Sequence, residues 1–269
     1  MSLILSALAA VSYGFADFLG GRITRRTGAT AAVLWTQVAA LGVALAVAPW
    51  LAVGKATVRD IAWGSAAGLA GTAGVIALYR GLASGRSAVV APLSALIGGS
   101  IPMAYGLVFG DPIELGASIG IGLALPAIYL TAGGVVGETS GFRYGVLAGL
   151  AFGLFFVLLI NTSPESGLWP LVGAKAAAVA FLAMLPVVRS IPDRRTLGGL
   201  AVVGAGDMAA NIFFLIAVRA GPVAVVAVVV SMFPAFTVTL FRIFDAEPIA
   251  RRQWLGVALA VMALALFAI

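Results

Sequence analysis

Three charged side chains lie inside long apolar stretches of the sequence, and these residues are the most able to do chemistry. Asp207 lies ten residues into the stretch 197–218, Lys175 lies within 168–188, and Asp17 lies within 3–21. If these stretches cross a membrane, each charge costs about 2.5–3.5 kcal/mol at mid-span. We therefore expect each of the three side chains to face a polar cavity or a partner of opposite charge.

Asp207 is the strongest of the three candidates. Asn211 follows it by four residues, so the two side chains share one face of a helix. In one interpretation Asp207 is a carboxylate that takes up a coupling proton or binds a substrate amine. In the other it forms a structural ion pair with Lys175 of a neighbouring helix. The residue types and their spacing leave both interpretations open.

Tyr13 and Asp17 form a second pair with the same four-residue spacing. They are expected either to line a cavity and hydrogen-bond a substrate, or to leave Asp17 at the membrane surface, paired with Arg22 or Arg25. Lys175 is expected either to face the same cavity or to extend its long stem to the surface.

Aromatic residues supply candidates for an apolar wall of that cavity. Such residues also serve as ordinary packing between buried helices. The candidates are Trp35, Tyr79, Phe152, Phe155, Phe213 and Phe214.

The elements that must position these residues follow from composition. The 269 residues are 62% hydrophobic and 10% charged, whereas soluble domains carry about 25% charged residues. Apolar runs of about 20 residues have the length of membrane-spanning helices. The sequence therefore predicts an all-α integral membrane protein with ten transmembrane helices, at 3–21, 29–51, 61–83, 88–109, 115–134, 142–160, 168–188, 197–218, 223–244 and 253–269.

Several function classes are excluded by composition. The chain has no cysteine and no histidine, so it lacks thiol nucleophiles, imidazole bases and the usual zinc and haem ligands, and we predict no metal and no cofactor. The net charge of +6 is spread over single residues and short clusters between apolar runs, which argues against nucleic-acid binding. No phosphate-binding loop of the GxxxxGK[ST] type occurs.

An internal repeat organises the predicted helices. A shift of 136 residues places the segment 85–91 on 221–227 and Asp111-Pro112-Ile113 on Glu247-Pro248-Ile249, and a shift of 139 places Tyr13-Gly14 on Phe152-Gly153. The prediction is two five-helix repeats, 1–136 and 137–269. Because five is odd, the second repeat enters the membrane in the opposite sense, as in secondary transporters. Glycine pairs with GxxxG spacing predict a homodimer through glycine-lined helices.

The distribution of basic residues predicts the orientation. Loops after the odd-numbered helices carry twelve of the sixteen, and the alternate loops carry Lys55, Arg59 and Arg219. The positive-inside rule therefore puts both termini outside a cell membrane that the chain crosses many times. The twelve are Arg22, Arg25, Arg26, Arg80, Arg86, Arg143, Arg189, Arg194, Arg195, Arg242, Arg251 and Arg252.

The motifs resemble those of the EamA-type transporters of the drug/metabolite transporter superfamily. The resemblance rests on the tandem repeat, on the run from Gly85 to Pro92 that opens the fourth helix, on Tyr13-Gly14 in place of a Trp-Gly, and on Glu247-Pro248 before the last helix. It implies a central cavity lined mainly by the first, third, fourth, sixth, eighth and ninth helices.

The sequence thus predicts a secondary active transporter. It would move a small metabolite or drug-like solute across the bilayer by alternating access, with protons as one candidate coupling ion and Asp207 as the coupling group. The alternative is a membrane-embedded enzyme acting on a lipid-linked substrate. Such enzymes place acidic and basic clusters at the membrane surface, and here the close acidic pairs lie only in short turns.

Overall fold

A computed structural model describes residues 1–51, 54–84, 87–111, 115–131, 139–185, 191–245 and 250–266. Every regular element in these ranges is helical, which confirms the all-α prediction. Glu247, Arg86 and Pro112, which contribute to the sequence motifs, lie outside the described residues.

Helices occupy each of the predicted apolar stretches. In the described ranges, seven helical segments are long and apolar enough to cross a membrane; α5, α7 and α11 are shorter. The helices are α1 (Ser2–Thr27), α2 (Ala29–Val47), α3 (Val58–Ala83), α4 (Ser87–Val108), α5 (Leu115–Thr131), α6 (Thr139–Ile160), α7 (Trp169–Ala183), α8 (Arg194–Ala220), α9 (Val223–Val230), α10 (Phe233–Asp245) and α11 (Arg251–Leu266).

Local capping explains where α3 and α8 begin. The Thr57 hydroxyl accepts the backbone N–H of Asp60, and Asp60 accepts the backbone N–H of Thr57, which together form a capping box. At α8 the Asp193 carboxylate accepts the hydroxyl and backbone N–H of Thr196 and the backbone N–H of Arg195. The hydrogen bonds from Thr196, its hydroxyl foremost, hold the pKa of the Asp193 carboxyl below its usual range.

The ninth predicted helix is broken in its middle. It is divided into α9 and α10, with Ser231 and Met232 between them. Pro234 has no N–H to donate to the carbonyl of Val230, so the helical ladder is interrupted here. In α4, by contrast, Pro92 and Pro102 lie inside a continuous helix.

The two halves pack on each other through pairs of helices that the repeat interconverts. Helix α1 lies against α8, and α6 lies against α3, which is the same pair of positions with the halves swapped. Likewise α2 packs on α8 and α7 on α3, while α4 packs on α6 and the α9/α10 pair packs on α1. The helices α5 and α11 pack on each other. Contacts between the halves therefore hold the bundle together.

Glycines permit these close contacts at repeated positions. A Cβ on Gly68 would overlap the carbonyl oxygen of Ala174, and a Cβ on Gly204, which lies 136 residues later, would overlap that of Thr36. These glycines therefore let α3 approach α7 and let α8 approach α2.

Two of the glycine sets with GxxxG spacing are used inside the chain. Gly64 and Gly68 lie against α7, and three glycines of α6 lie against α4, so the surfaces they offer are already covered. The three are Gly145, Gly149 and Gly153. The predicted homodimer, which nothing in the structure tests, cannot use these glycines.

Candidate functional site

A cavity of about 680 Å³, including the space at its open side, lies at mid-depth between the two halves. Seven of the helices around it contribute charged, polar or aromatic side chains. Its polar and aromatic lining residues are Tyr13, Asp17, Gln37, Ser94, Phe152, Phe155, Phe156, Lys175, Asp207, Asn211, Ser231 and Phe233.

An ion pair between α7 and α8 lies in the wall of this cavity. The Lys175 ammonium donates to Oδ2 of Asp207 at 2.6 Å, and the Lys175 residue is only 4% exposed. Lys175 therefore points inward and does not extend to the membrane surface. Asp207 has the structural partner that one interpretation expects. It also lies in the cavity wall, as the other interpretation expects.

Tyr13 and Asn211 join α1 to α8 beside the ion pair. The Tyr13 hydroxyl donates to Oδ1 of Asn211 at 3.1 Å, and Nδ2 of Asn211 donates to the backbone carbonyl of Asp207 at 2.6 Å. The four-residue spacing predicts the pairs within each helix, and the packing of α1 on α8 adds the bond between Tyr13 and Asn211. The result is one continuous polar wall built by both halves of the chain.

Asp17 lies deeper than its sequence position suggests. Helix α1 extends to Thr27, so Asp17 is nearly three turns from its end and is 8% exposed. The predicted pairing with Arg22 or Arg25 is wrong, because Arg22 binds Asp245 at 3.1 Å and Arg25 lies over the ring of Phe241. No ion pair or hydrogen bond reaches the Asp17 carboxylate from the described residues.

The apolar wall is formed by α6. Phe152 and Phe155 line the cavity as predicted, and Phe156, which the sequence analysis did not single out, lines it too. Trp35 and Tyr79 do not line it, and neither do Phe213 and Phe214. The Tyr79 ring is buried against Gly20 of α1 instead.

Gln37 of α2 is a second cavity residue that sequence reasoning passed over. It is 3% exposed, and its amide oxygen has no hydrogen-bond partner among the described residues. The signal that could have found it is the repeat, because a shift of 136 to 139 residues places Lys175 within two residues of Gln37.

A hydrogen-bonded cluster closes one end of the bundle around Asp60 and Arg219. Oδ1 of Asp60, at the start of α3, accepts the backbone N–H of Ser163 at 2.7 Å. The Arg219 guanidinium, at the end of α8, donates to the carbonyl oxygens of Ser163 at 3.0 Å and Gly167 at 2.7 Å. The turn between α6 and α7 is thereby fastened to the ends of α3 and α8.

The matching position at the other end of the bundle makes no such bond. A shift of 136 residues places Thr57 and Asp60 on Asp193 and Thr196. Asp193 is exposed, and every hydrogen bond it accepts comes from the first turn of its own helix. Asp60 therefore joins its helix to the turn between α6 and α7, whereas Asp193 caps only its own helix.

Removing one partner of the Lys175–Asp207 pair should destabilise the protein strongly. A Lys175→Met variant leaves a buried carboxylate without its counter-ion, at a cost of about 3–5 kcal/mol. The Lys175→Met/Asp207→Asn double variant should recover most of this loss. Thermal unfolding of the purified protein in detergent measures both. Equal destabilisation by the single and double variants would show that the pair does not hold in the membrane protein.

Comparison with known proteins relates the chain to a protein family and to a known fold. No curated protein matches the sequence. One solved crystal structure, described only as that of a protein, superposes with a TM-score of 0.71 at 14% identity, covering 99% of this chain and 96% of that chain, which shows a shared fold. The EamA-like transporter family model matches residues 139–269. Residues 139–269 therefore belong to the EamA-like transporter family, and the resemblance indicated by the sequence motifs is confirmed.

Proposed function

We propose that this membrane transporter is a secondary active transporter that moves a small metabolite or drug-like solute across the cell membrane by alternating access. The observation that carries the proposal is the mid-depth cavity, which both halves line and in which a buried ion pair faces the open space. Ionisable groups placed within membrane helices mark substrate or ion pathways.

Alternating access in this proposal rests on ten crossings arranged as two inverted repeats. The exchanged packing supports it, because α1 on α8 and α6 on α3 are the pairs that a two-fold axis in the membrane plane would interconvert. Two similar halves of opposite orientation can exchange conformations, so that one central site opens to each side in turn.

The two ends of the bundle supply the gates. In this proposal the hydrogen bonds of Asp60 and Arg219 to the turn between α6 and α7 form one closed gate, whereas Asp193 at the other end binds only its own helix. In the opposite state the cluster would open. The Asp193 end would then close against the turn between α1 and α2, which corresponds by the repeat to the turn between α6 and α7.

Coupling is assigned to the carboxylates of the cavity. The sequence contains no ATP-binding motif of the GxxxxGK[ST] type, which favours an ion gradient as the energy source. A proton delivered to the cavity competes with Lys175 for Asp207, so that protonation would release the ion pair and loosen the contact between α7 and α8.

Reconstituted protein tests transport and coupling together. Proteoliposomes are assayed against a panel of metabolites with and without a pH gradient. Asp207→Asn should reduce gradient-driven uptake by about tenfold or more, since the amide cannot exchange a proton. Asp245→Asn is the matched control, because Asp245 pairs with Arg22 outside the cavity. Full gradient-driven uptake by Asp207→Asn would refute coupling through this residue.

Opening of the Asp60 gate can be measured by thiol labelling, because the chain has no cysteine of its own. A Ser94→Cys substitution places one thiol in the cavity wall. Adding Asp60→Asn weakens the bond to Ser163, so a membrane-impermeant reagent on the Asp60 side should label this thiol faster.

Asp193→Asn is the matched control for this gate, because it alters the corresponding helix cap at the other end of the bundle, where Asp193 bonds only to its own helix. Labelling from the Asp60 side should then stay at the rate of the Ser94→Cys parent. An equal increase in both variants would indicate general loosening of the bundle rather than a gate.

Orientation is proposed from the basic residues, with both termini outside. Trp50 and Ile191 are exposed residues at opposite ends of the bundle. In intact cells a membrane-impermeant thiol reagent should label Trp50→Cys and spare Ile191→Cys. The reverse pattern would invert the assignment, so that the Asp60 end would face the cytoplasm.

A further inference from the structure

We propose that the transported solute is a monovalent organic cation, an amine attached to an apolar or aromatic body. Its ammonium group would bind Asp17 while its body lies against the phenylalanines of α6. This inference rests on the proposed transport function and deepens it, because it names the class of solute and the residue that recognises the charge.

The first argument is the charge balance of the cavity. Three charged side chains line it in the described part of the chain: Lys175, Asp207 and Asp17. Lys175 is bound to Asp207, so no charge of the described lining is left to compensate a charge on Asp17. In surroundings of low dielectric constant an uncompensated charge is costly, and a single positive charge from the ligand restores neutrality.

The second argument is that no described residue supplies a counter-ion to Asp17. Arg22, one and a half turns further along α1, is held by Asp245 and packs on Phe18. Lys175 is held by Asp207, whose own negative charge acts on Asp17. Asp17 is therefore a buried carboxylate that faces the cavity with its acceptor positions open to a ligand.

The third argument is the hydrogen-bond inventory of the lining. The hydroxyl groups of Tyr13, Ser94 and Ser231 each donate to an acceptor within the chain. Two acceptors in the lining, the Asp17 carboxylate and the buried amide oxygen of Gln37, accept no hydrogen bond from the described residues. A ligand that brings N–H donors satisfies these acceptors, whereas a carboxylate or phosphate adds further acceptors.

The fourth argument is the contrast between the walls that the repeat relates. Asp17 corresponds to Phe156 and Tyr13 to Phe152 by a shift of 139, and Asp207 corresponds to Gly71 by a shift of 136. All of these positions line the cavity. The helices are repeated, but the side chains at these corresponding positions differ in polarity. The wall formed by α1 and α8 is therefore polar, and the wall formed by α3 and α6 is apolar. A ligand with one charged end and one apolar end matches this arrangement.

The phenylalanine wall also suits the apolar part of such a ligand. The rings of Phe155 and Phe156 lie 5.2 Å apart at 65°, and the Tyr13 ring lies 6.3 Å from that of Phe156 at 75°. These aromatic faces extend from the apolar wall to the polar one. A cation bound at Asp17 and close to a ring gains from the negative face of that ring as well as from the carboxylate.

Three probes of nearly equal size test the class of ligand on the wild-type protein. They are phenethylamine, a cation; 2-phenylethanol, which is neutral; and 3-phenylpropionate, an anion. Isothermal titration of the purified full chain should show phenethylamine binding about tenfold or more tightly than the other two. The comparison needs no variant, so it stands even if a substituted protein folds poorly.

Asp17→Asn then assigns the recognition to one residue. Phenethylamine should bind about tenfold or more weakly to this variant, while Asp245→Asn, which removes a carboxylate outside the cavity, should bind it as wild type does. Asp17→Glu keeps the charge and should retain most of the affinity. Thermal unfolding confirms that each variant is folded before titration.

The outcomes separate this inference from the transport function. Tighter binding of 3-phenylpropionate or 2-phenylethanol, or unchanged amine binding by Asp17→Asn, would overturn the inference. Uptake of another solute from the metabolite panel would then still support transport. If no probe binds but the panel identifies a transported anion or neutral solute, the inference is again wrong. If nothing binds and nothing is transported, the proposed function fails as well.

Discussion

The ion pair between Lys175 and Asp207 is the interaction on which the interior of this bundle depends. Two opposite charges at mid-depth in a membrane protein cost least when each lies within bonding distance of the other. That condition requires α7 and α8 to be held at a fixed separation. Helix α2 contacts both α7 and α8, and Gly204 lets α8 approach α2 closely. The packing of backbones thus sets the geometry of the charges.

The internal repeat explains where the cavity lies, and the differences between its two copies explain how the cavity is lined. The helices of the two halves contact each other in exchanged pairs, so the cavity lies where the halves meet. Its lining, however, differs at corresponding positions: a carboxylate on one wall faces a phenylalanine or a glycine on the other. A symmetric lining would offer a solute two equivalent orientations. The unequal walls favour a single orientation, with the polar end toward α1 and α8.

The cost of burying charge in an apolar helix made the central residues predictable. It identified Asp207, Lys175 and Asp17 from the sequence, and the four-residue spacing added Asn211 and Tyr13, all of which line the cavity. Whether Asp207 has a partner could not be read from the sequence, because which of two helices contacts a third is decided by tertiary packing. The depth of Asp17 was misjudged because α1 continues past the apolar run to Thr27.

Sequence analysis missed some functional residues and misplaced others, for two different physical reasons. Asp60 and Arg219 lie at helix ends, where a charge commonly only anchors a helix at the membrane surface, so composition cannot reveal that they fasten the turn between α6 and α7. Trp35 and Tyr79 were expected in the cavity, yet an aromatic residue has no periodic signal that separates a cavity wall from a packed interface. Only the rotation of each helix about its axis decides that, and this rotation is set by the partner helices.

Two features of the cavity, the Lys175–Asp207 ion pair and the Asp17 carboxylate, can couple ligand binding to a change of conformation. With no ligand, Asp17 has no counter-ion among the described residues, because Lys175 is held by Asp207, and a charge on the Asp17 carboxylate is uncompensated. A bound proton or cation removes that charge, so it lowers the free energy of a conformation in which the cavity is sealed from water. The differential affinity of the sealed and open states for the cation is then what drives the change. The Asp60–Arg219 cluster only has to be weak enough to yield to it.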